Sequence, residues 1–303
     1  MRYLKRTFRE FVDDDCPTMA AALAYYTVFS LPPLLVIIIT TAGFIFGAQT
    51  VQSAIQSQAS KLIGEGVAQQ VYTMVQHAGE RPSTGIISTV IGVVLLLVGA
   101  TGVFGQLQAS LNKAWSVMPD PNAGGVWSFL TKRVLSFGMI LGVAFLLMVS
   151  LSVSAVLSAM GGMLQSYLPG IGAPVLWALD PTISFLIIAA LFAAIFKVLP
   201  DAEIRWRDVA VGALLTAALF VIGKFALGFY LGRSDPAGGY GAAGSVVLIL
   251  LWTYYASMIV LIGAEFTQVW AEEHGAGLRP GPGAIRVERT QVPVRDDRRR
   301  PAA

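Results

Sequence analysis

The sequence has little charge for its length. Of its 303 residues only 13% are Asp, Glu, Lys or Arg, against about a quarter in typical soluble proteins, while 55% are hydrophobic. The mean hydropathy is +0.67. A single soluble core would be an unusual explanation for so apolar a chain, and the composition indicates a membrane-embedded protein.

Residues suited to metal, redox or nucleophilic chemistry are also scarce. A single cysteine, Cys16, excludes an intramolecular disulfide, and the two histidines, His77 and His274, fall in segments predicted to lie on opposite sides of the membrane. The sequence contains no H-E-x-x-H, C-x-x-C or G-x-S-x-G motif, and Lys224 is followed by Phe225, so Gly223-Lys224 is not a P-loop. The acidic run 13–15 is more typical of a solvated helix end than of a cation site. We therefore expect no metal, no cofactor and no enzymatic activity.

Long apolar runs dominate what is present, and they predict an all-α polytopic membrane protein. Six spans are predicted, at about 33–47, 84–105, 134–160, 181–198, 208–232 and 244–270. They form one membrane domain, residues 1–275. The remainder, 276–303, is rich in Arg, Pro and Gly and poor in apolar residues, so we expect a disordered cytoplasmic tail.

The N-terminal part is predicted to begin with an amphipathic helix on the membrane surface, because its apolar residues recur at helical spacing within residues 1–18. The uncharged run 19–47 is 29 residues long. As one helix it would extend about 43 Å, against roughly 30 Å of hydrocarbon. Pro32-Pro33 predicts a break, so that 19–30 is interfacial or re-entrant and span 1 follows it. A single kinked and tilted span is the alternative, and the sequence does not separate the two.

Three shorter features are predicted between or within the spans. Residues 48–83 show apolar stripes at helical spacing, which indicates two short periplasmic amphipathic helices separated near Gly64 and Gly66. Asp180-Pro181 resembles a helix start with proline at the first position, so span 4 is expected to begin there. A G-x-x-x-G at Gly138 and Gly142 indicates close helix packing in span 3.

The distribution of Lys and Arg predicts the orientation. Ten Lys and Arg residues before position 208 fall in segments predicted to lie on one side of the membrane: Arg2, Lys5, Arg6, Arg9, Lys113, Lys132, Arg133, Lys197, Arg205 and Arg207. Three fall in segments predicted to lie on the opposite side: Lys61, Arg81 and Arg233. Cytoplasmic loops carry the excess of positive charge. Both termini are therefore expected in the cytoplasm.

Two ionisable residues, Lys224 and Glu265, interrupt the last two spans, and such residues are costly inside a membrane. Lys224 is predicted to extend outward toward Arg233. Glu265 lies nearer the inner end and is expected to meet Arg205, Arg207 or Lys197. The predicted substrate-binding residues are therefore Lys224, Arg233 and Glu265, and the predicted cytoplasmic interface consists of Asp201, Arg205 and Arg207. Snorkelling and bundle-stapling are the structural alternatives.

Several ordered blocks resemble a known family. They are AAALAYYTVFSLPPLL (20–35), LNKAWSV (111–117), LPDAEIRWRDVAVGALLTA (199–217), GKFALGFYLGRS (223–234), YGAAGSVVLILLWTYYA (240–256) and GAEFT (263–267). Together they resemble the YihY/BrkB family of bacterial inner-membrane proteins over about residues 10–275. The resemblance implies six helices in the cell inner membrane. Members were formerly mislabelled ribonuclease BN, others are called serum-resistance or virulence factors, and one branch is linked to export of lipid A precursors.

Three functions remain open from the sequence. The first is a transporter or flippase of an anionic lipid or another amphipathic envelope substrate. The second is a non-transporting scaffold for envelope assembly, and the third, a membrane enzyme, is the weakest because motifs are missing. Membrane lipids are the expected partners, together with further copies of the chain or envelope proteins. Nucleic acid is not an expected partner, and nuclease activity is not expected.

Overall fold

A computed structural model describes residues 2–63, 65–79, 102–121, 172–233, 240, 243–275 and 277–288. The helices are α1 (Arg2–Asp13), α2 (Cys16–Phe46), α3 (Ala48–Ile63), α4 (Glu65–Gly79), α5 (102–114), α6 (Gly172–Val198), α7 (Trp206–Arg233) and α8 (Gly244–His274). The strands are β1 (Val117–Pro119), β2 (Ala202–Glu203), β3 (Arg279–Pro280) and β4 (Ala284–Arg286).

Helices form most of the described structure, as the sequence predicts. Within the described residues three segments are long and apolar enough to cross a membrane, namely 181–198, 206–231 and 246–274, and a shorter apolar helix runs from Cys16 to Leu31. They correspond to predicted spans 4, 5 and 6. Span 3 and most of span 2 lie outside the described residues, and α5 includes the predicted end of span 2, residues 102–105.

Helix α2 is continuous through Pro32-Pro33. Of the two arrangements that the sequence left open, the single helix is therefore present, and the break with 19–30 as a separate interfacial or re-entrant helix is not. Residues on both sides of the prolines pack in one apolar cluster: Val28 and Leu35 share it with Ile249 and Trp252 of α8. A proline in a membrane helix is tolerated where neighbouring elements hold the helix. Packing on α8 therefore outweighs the local preference for a break.

Two other boundaries also differ from the prediction. Helix α6 begins at Gly172, so Pro181 lies inside the helix rather than at its first position. The two short amphipathic helices are present as α3 and α4, but α4 begins at Glu65, and Gly66 is therefore helical rather than a separator. These differences move helix ends and leave the predicted order of elements unchanged.

Residues 277–288, beyond α8, include two short strands, β3 and β4, which corrects the prediction of disorder for this segment. Strand β3 pairs antiparallel with β2, and β4 pairs antiparallel with β1, with Val117 opposite Arg286. Leu278 is only 5% exposed and belongs to the main apolar cluster. Composition missed this because two short ladders and one buried side chain suffice to hold the segment against loops elsewhere in the chain. Residues 289–303 lie outside the described part.

Ion pairs hold α1 against the end of α8 and the tail. Arg6 donates to Glu272, and its guanidinium also lies 3.7 Å from Glu273 and 3.5 Å from Glu10. Arg286 of β4 donates to Glu272 at 3.1 Å. Burial alone would lower the pKa of Arg6, but the hydrogen bond and charge of Glu272 outweigh it and hold that pKa above its ordinary value. We call this part of the bundle, formed by α1, β1–β4 and the end of α8, the termini end.

Candidate functional site

The candidate site is centred on Glu265, whose side chain is completely buried in α8 near the termini end. The Cys16 thiol, at the start of α2, donates to Glu265 Oε1 at 3.4 Å. The side-chain amide of Gln268 is oriented so that its oxygen and its nitrogen both have suitable partners. In this orientation its N–H groups donate to Glu265 Oε2 at 3.3 Å and to the Ala114 carbonyl. A thiol and an amide therefore surround the carboxyl, and both are neutral donors.

The predicted cationic partners of Glu265 lie elsewhere, and that prediction is wrong. Arg205 and Arg207 are exposed. Lys197 donates its ammonium to the Ile204 carbonyl and lies 5.8 Å from the ring centre of Trp206. The sequence places Glu265 and these cations near the same end of their spans, which suggested that they contact each other. It could not reveal that α2 and α5 occupy the space beside the carboxyl.

Three elements enclose this carboxyl besides α8 itself. Trp115, almost fully buried after α5, donates its indole N–H to the Ala264 carbonyl at 3.0 Å. Leu261, one turn before Glu265, packs with Cys16 and with Phe11 of α1. The charges that act on Glu265 from these elements are Asp14 and Glu10 from the α1 side and Lys113 from α5. The carboxyl thus lies where α1, α2 and α5 converge on α8.

A close crossing of α7 and α8 fixes the position of Glu265. A methyl group on Gly212 would overlap the Thr267 side chain, and one on Gly263 would overlap Thr216 in the same way. Each threonine donates to the carbonyl of the glycine one turn earlier in its own helix, at 2.7 and 2.6 Å. Glycine and threonine four residues apart in both helices thus form a reciprocal contact, and small residues permit this approach. Sequence analysis missed the crossing, although the repeated G-x-x-x-T spacing was a visible signal.

Lys224 and Arg233 lie on the half of α7 away from the termini end. Lys224 Nζ lies 5.3 Å from the ring centre of Phe225, and the Arg233 guanidinium lies 3.9 Å from that of Phe229. Both rings are largely exposed. Each cation therefore lies over its own neighbouring ring, and the two stand at different places along the helix.

The antiparallel register of α7 and α8 gives the separation between Lys224 and Glu265. Gly212 faces Thr267, and Gly223 faces Tyr255, so Glu265 stands level with about residue 214 of α7. About ten residues of helix then separate that level from Lys224, about 15 Å along the axis. The two ionisable residues occupy different depths and do not form an ion pair with each other.

Asp201 belongs to a separate polar cluster between α5 and the loop after α6. Its carboxylate accepts from Asn112 at 2.9 Å and from Gln108 at 3.3 Å, and its backbone N–H donates to Asn112 Oδ1 at 2.8 Å. Asp201 thus holds two elements together, whereas the neighbouring Arg205 and Arg207 extend into the surroundings. Of the three residues predicted to form the cytoplasmic interface, Asp201 therefore has a structural role, and Arg205 and Arg207 are exposed.

Comparison with known proteins identifies one family model, described as virulence factor BrkB, that matches residues 7–287. The relatives include UPF0761 membrane proteins from Methylibium petroleiphilum, 30% identical over 272 residues, from Teredinibacter turnerae, 30% over 281, and from Alcanivorax borkumensis, 28% over 270. These alignments cover 87%, 90% and 88% of this chain and 60%, 61% and 60% of the relatives. The chain thus spans about three fifths of their length. No solved structure matches.

Proposed function

The chain belongs to the BrkB family of membrane proteins, as its sequence blocks predicted, and we propose that it is a transporter or flippase of an anionic, lipid-like envelope substrate. The observation that carries this proposal is the fully buried carboxyl of Glu265 within a membrane-spanning helix. Ionisable residues in such helices are expensive and generally mark ion, proton or substrate pathways. A passive helix would be more stable with leucine at that position.

The cations on α7 support an anionic substrate. Lys224 and Arg233 each lie over a phenyl ring, and the neighbouring Phe225, Phe229 and Tyr230 are exposed. Such a surface offers positive charge for a phosphate and apolar area for an acyl chain. In this proposal Arg233 and Lys224 receive the head group at successive points along α7, and Glu265 responds about 15 Å beyond Lys224 along the bundle. The protein would need neither a cofactor nor enzymatic activity.

A scaffold for envelope assembly is the second candidate, and one feature favours it. At the termini end Trp206 is 62% exposed between Arg205 and Arg207, which are also exposed. Aromatic and arginine side chains are enriched at protein interfaces. The partner would be an envelope protein or another copy of this chain, and in that case the protein would move no lipid.

Six spans in the bacterial inner membrane, with both termini cytoplasmic, remain part of the proposal. Its support is that α1, the loops near residues 117 and 202, and the tail all meet at the termini end. The positive charge of these segments supports a cytoplasmic location for that end. Reporter fusions near residues 120, 203 and 285 should then read as cytoplasmic, and those near 65, 170 and 238 as periplasmic. A periplasmic reading at residue 285 would overturn the orientation.

The function is tested by lipid movement in proteoliposomes. Purified protein is reconstituted with a fluorescent phosphatidylglycerol, and dithionite then reports how much of the probe reaches the outer leaflet. We expect the native protein to accelerate exchange and Glu265→Gln to abolish it, since glutamine retains the size and one acceptor oxygen but cannot carry charge. Lys224→Met should also reduce exchange, and Lys224→Arg should retain part of it.

Glu203→Gln is the matched control, because Glu203 is an exposed carboxylate on β2, away from the buried site. It should exchange lipid at the native rate. Native protein that exchanges the probe no faster than empty liposomes would refute the flippase and favour the scaffold. Full activity in a folded Glu265→Gln variant would show that the buried carboxyl is not part of the pathway.

A further inference from the structure

Helix α1 divides into faces with different surroundings. Thr7 and Phe11 are buried, and Phe11 belongs to the cluster packed on α8. A second face carries Leu4, Phe8 and Val12, which recur every four residues and are 62%, 68% and 54% exposed. Residues four apart lie on one side of a helix, so these three form a continuous apolar stripe. Its exposure is not explained by the packing that holds α1 in place.

Exposed cations lie directly beside this apolar stripe. Arg2, Lys5 and Arg9 recur at intervals of three and four residues, and all three are exposed. At 3.6 residues per turn they occupy the neighbouring sector of the helix. The exposed acidic residue of α1 is Asp13, the last residue of the helix. It lies beyond the basic sector, on the side away from the apolar stripe. The outer surface of α1 therefore combines an apolar band with a band of positive charge.

Contacts on the remaining side determine where this surface stands. Arg6 binds Glu272 and Glu273, and the Tyr3 ring lies 6.3 Å from Trp270 and 5.3 Å from His274, measured between ring centres. These partners are in the last turns of α8, at the end of a membrane-spanning helix. Tryptophan there is typical of the membrane–water boundary. These contacts therefore hold α1 at the level of lipid head groups.

We propose that α1 is a docking surface for anionic phospholipid, with Leu4, Phe8 and Val12 inserted among the acyl chains and Arg2, Lys5 and Arg9 on the phosphates. A helix with adjoining apolar and basic sectors lies in the interface in this way. Each cation near an anionic surface strengthens association about fivefold, and salt weakens it. The surface is distinct from Glu265 and Lys224, and it does not depend on the proposed transport.

The test measures the depth of the apolar stripe in full-length protein. Phe8→Cys is labelled with an environment-sensitive dye, and the native protein serves as the labelling background because Cys16 is buried. Proteoliposomes of phosphatidylcholine, with or without phosphatidylglycerol, contain brominated acyl chains that quench a dye within the hydrocarbon. We expect strong quenching at position 8, stronger with phosphatidylglycerol and reduced by salt. A dye at Asp13→Cys, on the same helix but away from the stripe, should remain unquenched.

Charge variants then test the choice of lipid. Lys5→Gln and Arg9→Gln should each weaken the phosphatidylglycerol-dependent association of α1 with the bilayer about fivefold, which lowers the quenching. Arg279→Gln removes an exposed cation at the termini end but away from the stripe, and it should leave the quenching unchanged. An equal loss in Arg279→Gln would mean that general surface charge suffices, which contradicts the proposal. Equal quenching without phosphatidylglycerol would refute the anionic preference. An unquenched dye in Phe8→Cys, with disulfide crosslinking between unlabelled copies of that variant, would identify the stripe as a protein interface instead.

Discussion

Adding one methyl group at Gly212 should weaken the helix crossing that positions Glu265. A Cβ built there would lie 2.8 Å from the Thr267 Cβ and would overlap its hydroxyl. Thr267 cannot rotate away without losing its 2.6 Å hydrogen bond to the Gly263 carbonyl. Helices α7 and α8 would therefore have to separate, and the second contact, between Gly263 and Thr216, would loosen with them.

The expected magnitude follows from two opposing effects. Overpacking a well-packed contact costs about 1–3 kcal/mol. Replacing glycine by alanine inside a helix contributes up to about 1 kcal/mol in the other direction. With the full helix contribution subtracted, the net loss for Gly212→Ala should be about 0–2 kcal/mol. The same change at Gly228 is the matched control, since it lies in the same helix and a Cβ there would meet none of the described residues within 4 Å.

The assay is unfolding of each variant in mixed micelles with increasing sodium dodecyl sulfate, followed by tryptophan fluorescence. Gly228→Ala should be neutral or stabilised, and Gly212→Ala should unfold at lower detergent fraction. Gly223→Ala should fall between them, because the group it meets is the far end of the Tyr255 side chain, which can move. If Gly212→Ala and Gly228→Ala are equally stable, the reciprocal crossing does not contribute to stability and our reasoning about it is wrong.

Three further predictions concern the termini end and use the same unfolding assay. Asn112→Ala should cost about 1–3 kcal/mol, because the backbone N–H of Asp201 loses its acceptor and the carboxylate loses one of its donors, and an unchanged midpoint would contradict this. Truncation after residue 275 should remove the burial of Leu278, about 1.5–3 kcal/mol, whereas truncation after residue 288 should change nothing; equal stability of the two would show that β3 and β4 are not needed. Thr7→Val should stabilise by about 1 kcal/mol, since the buried Thr7 hydroxyl has no hydrogen-bond partner among the described residues, and a loss of stability would refute that view.

Much of the architecture was predictable because membrane helices leave a strong signal in composition. Spans 4, 5 and 6 coincide with α6, α7 and α8 within a few residues at most ends, and the amphipathic α1, α3 and α4 were also expected. Errors arose where tertiary contacts override local preference. Pro32-Pro33 predicts a break that packing on α8 prevents, and the composition of 277–288 conceals two short strand ladders. Local sequence carries no information about such distant partners.

The candidate site was predictable in its residues and not in its contacts. Glu265 was recognisable as a costly residue inside a span, and its depth relative to Lys224 followed from counting residues along helices. Its partners were not recognisable, because Cys16 lies 249 residues away in the chain and is a neutral donor that charge matching does not select. The search for a cation beside Glu265 therefore led to Arg205, Arg207 and Lys197, which contact other groups or extend away from the bundle core.

The neutral surroundings of Glu265 bear on how the site can act. A carboxyl paired with arginine would be held in one charge state, and removing either partner would leave an uncompensated buried charge. Here the thiol of Cys16 and the amide of Gln268 can hydrogen-bond a carboxyl in either state, because amide and thiol remain neutral throughout. The close α7–α8 crossing fixes the helix backbone while the group beside it remains able to change charge. Among the described residues no cation contacts this carboxyl, and a carboxyl able to change charge within a rigid frame is the arrangement that the proposed transport step requires.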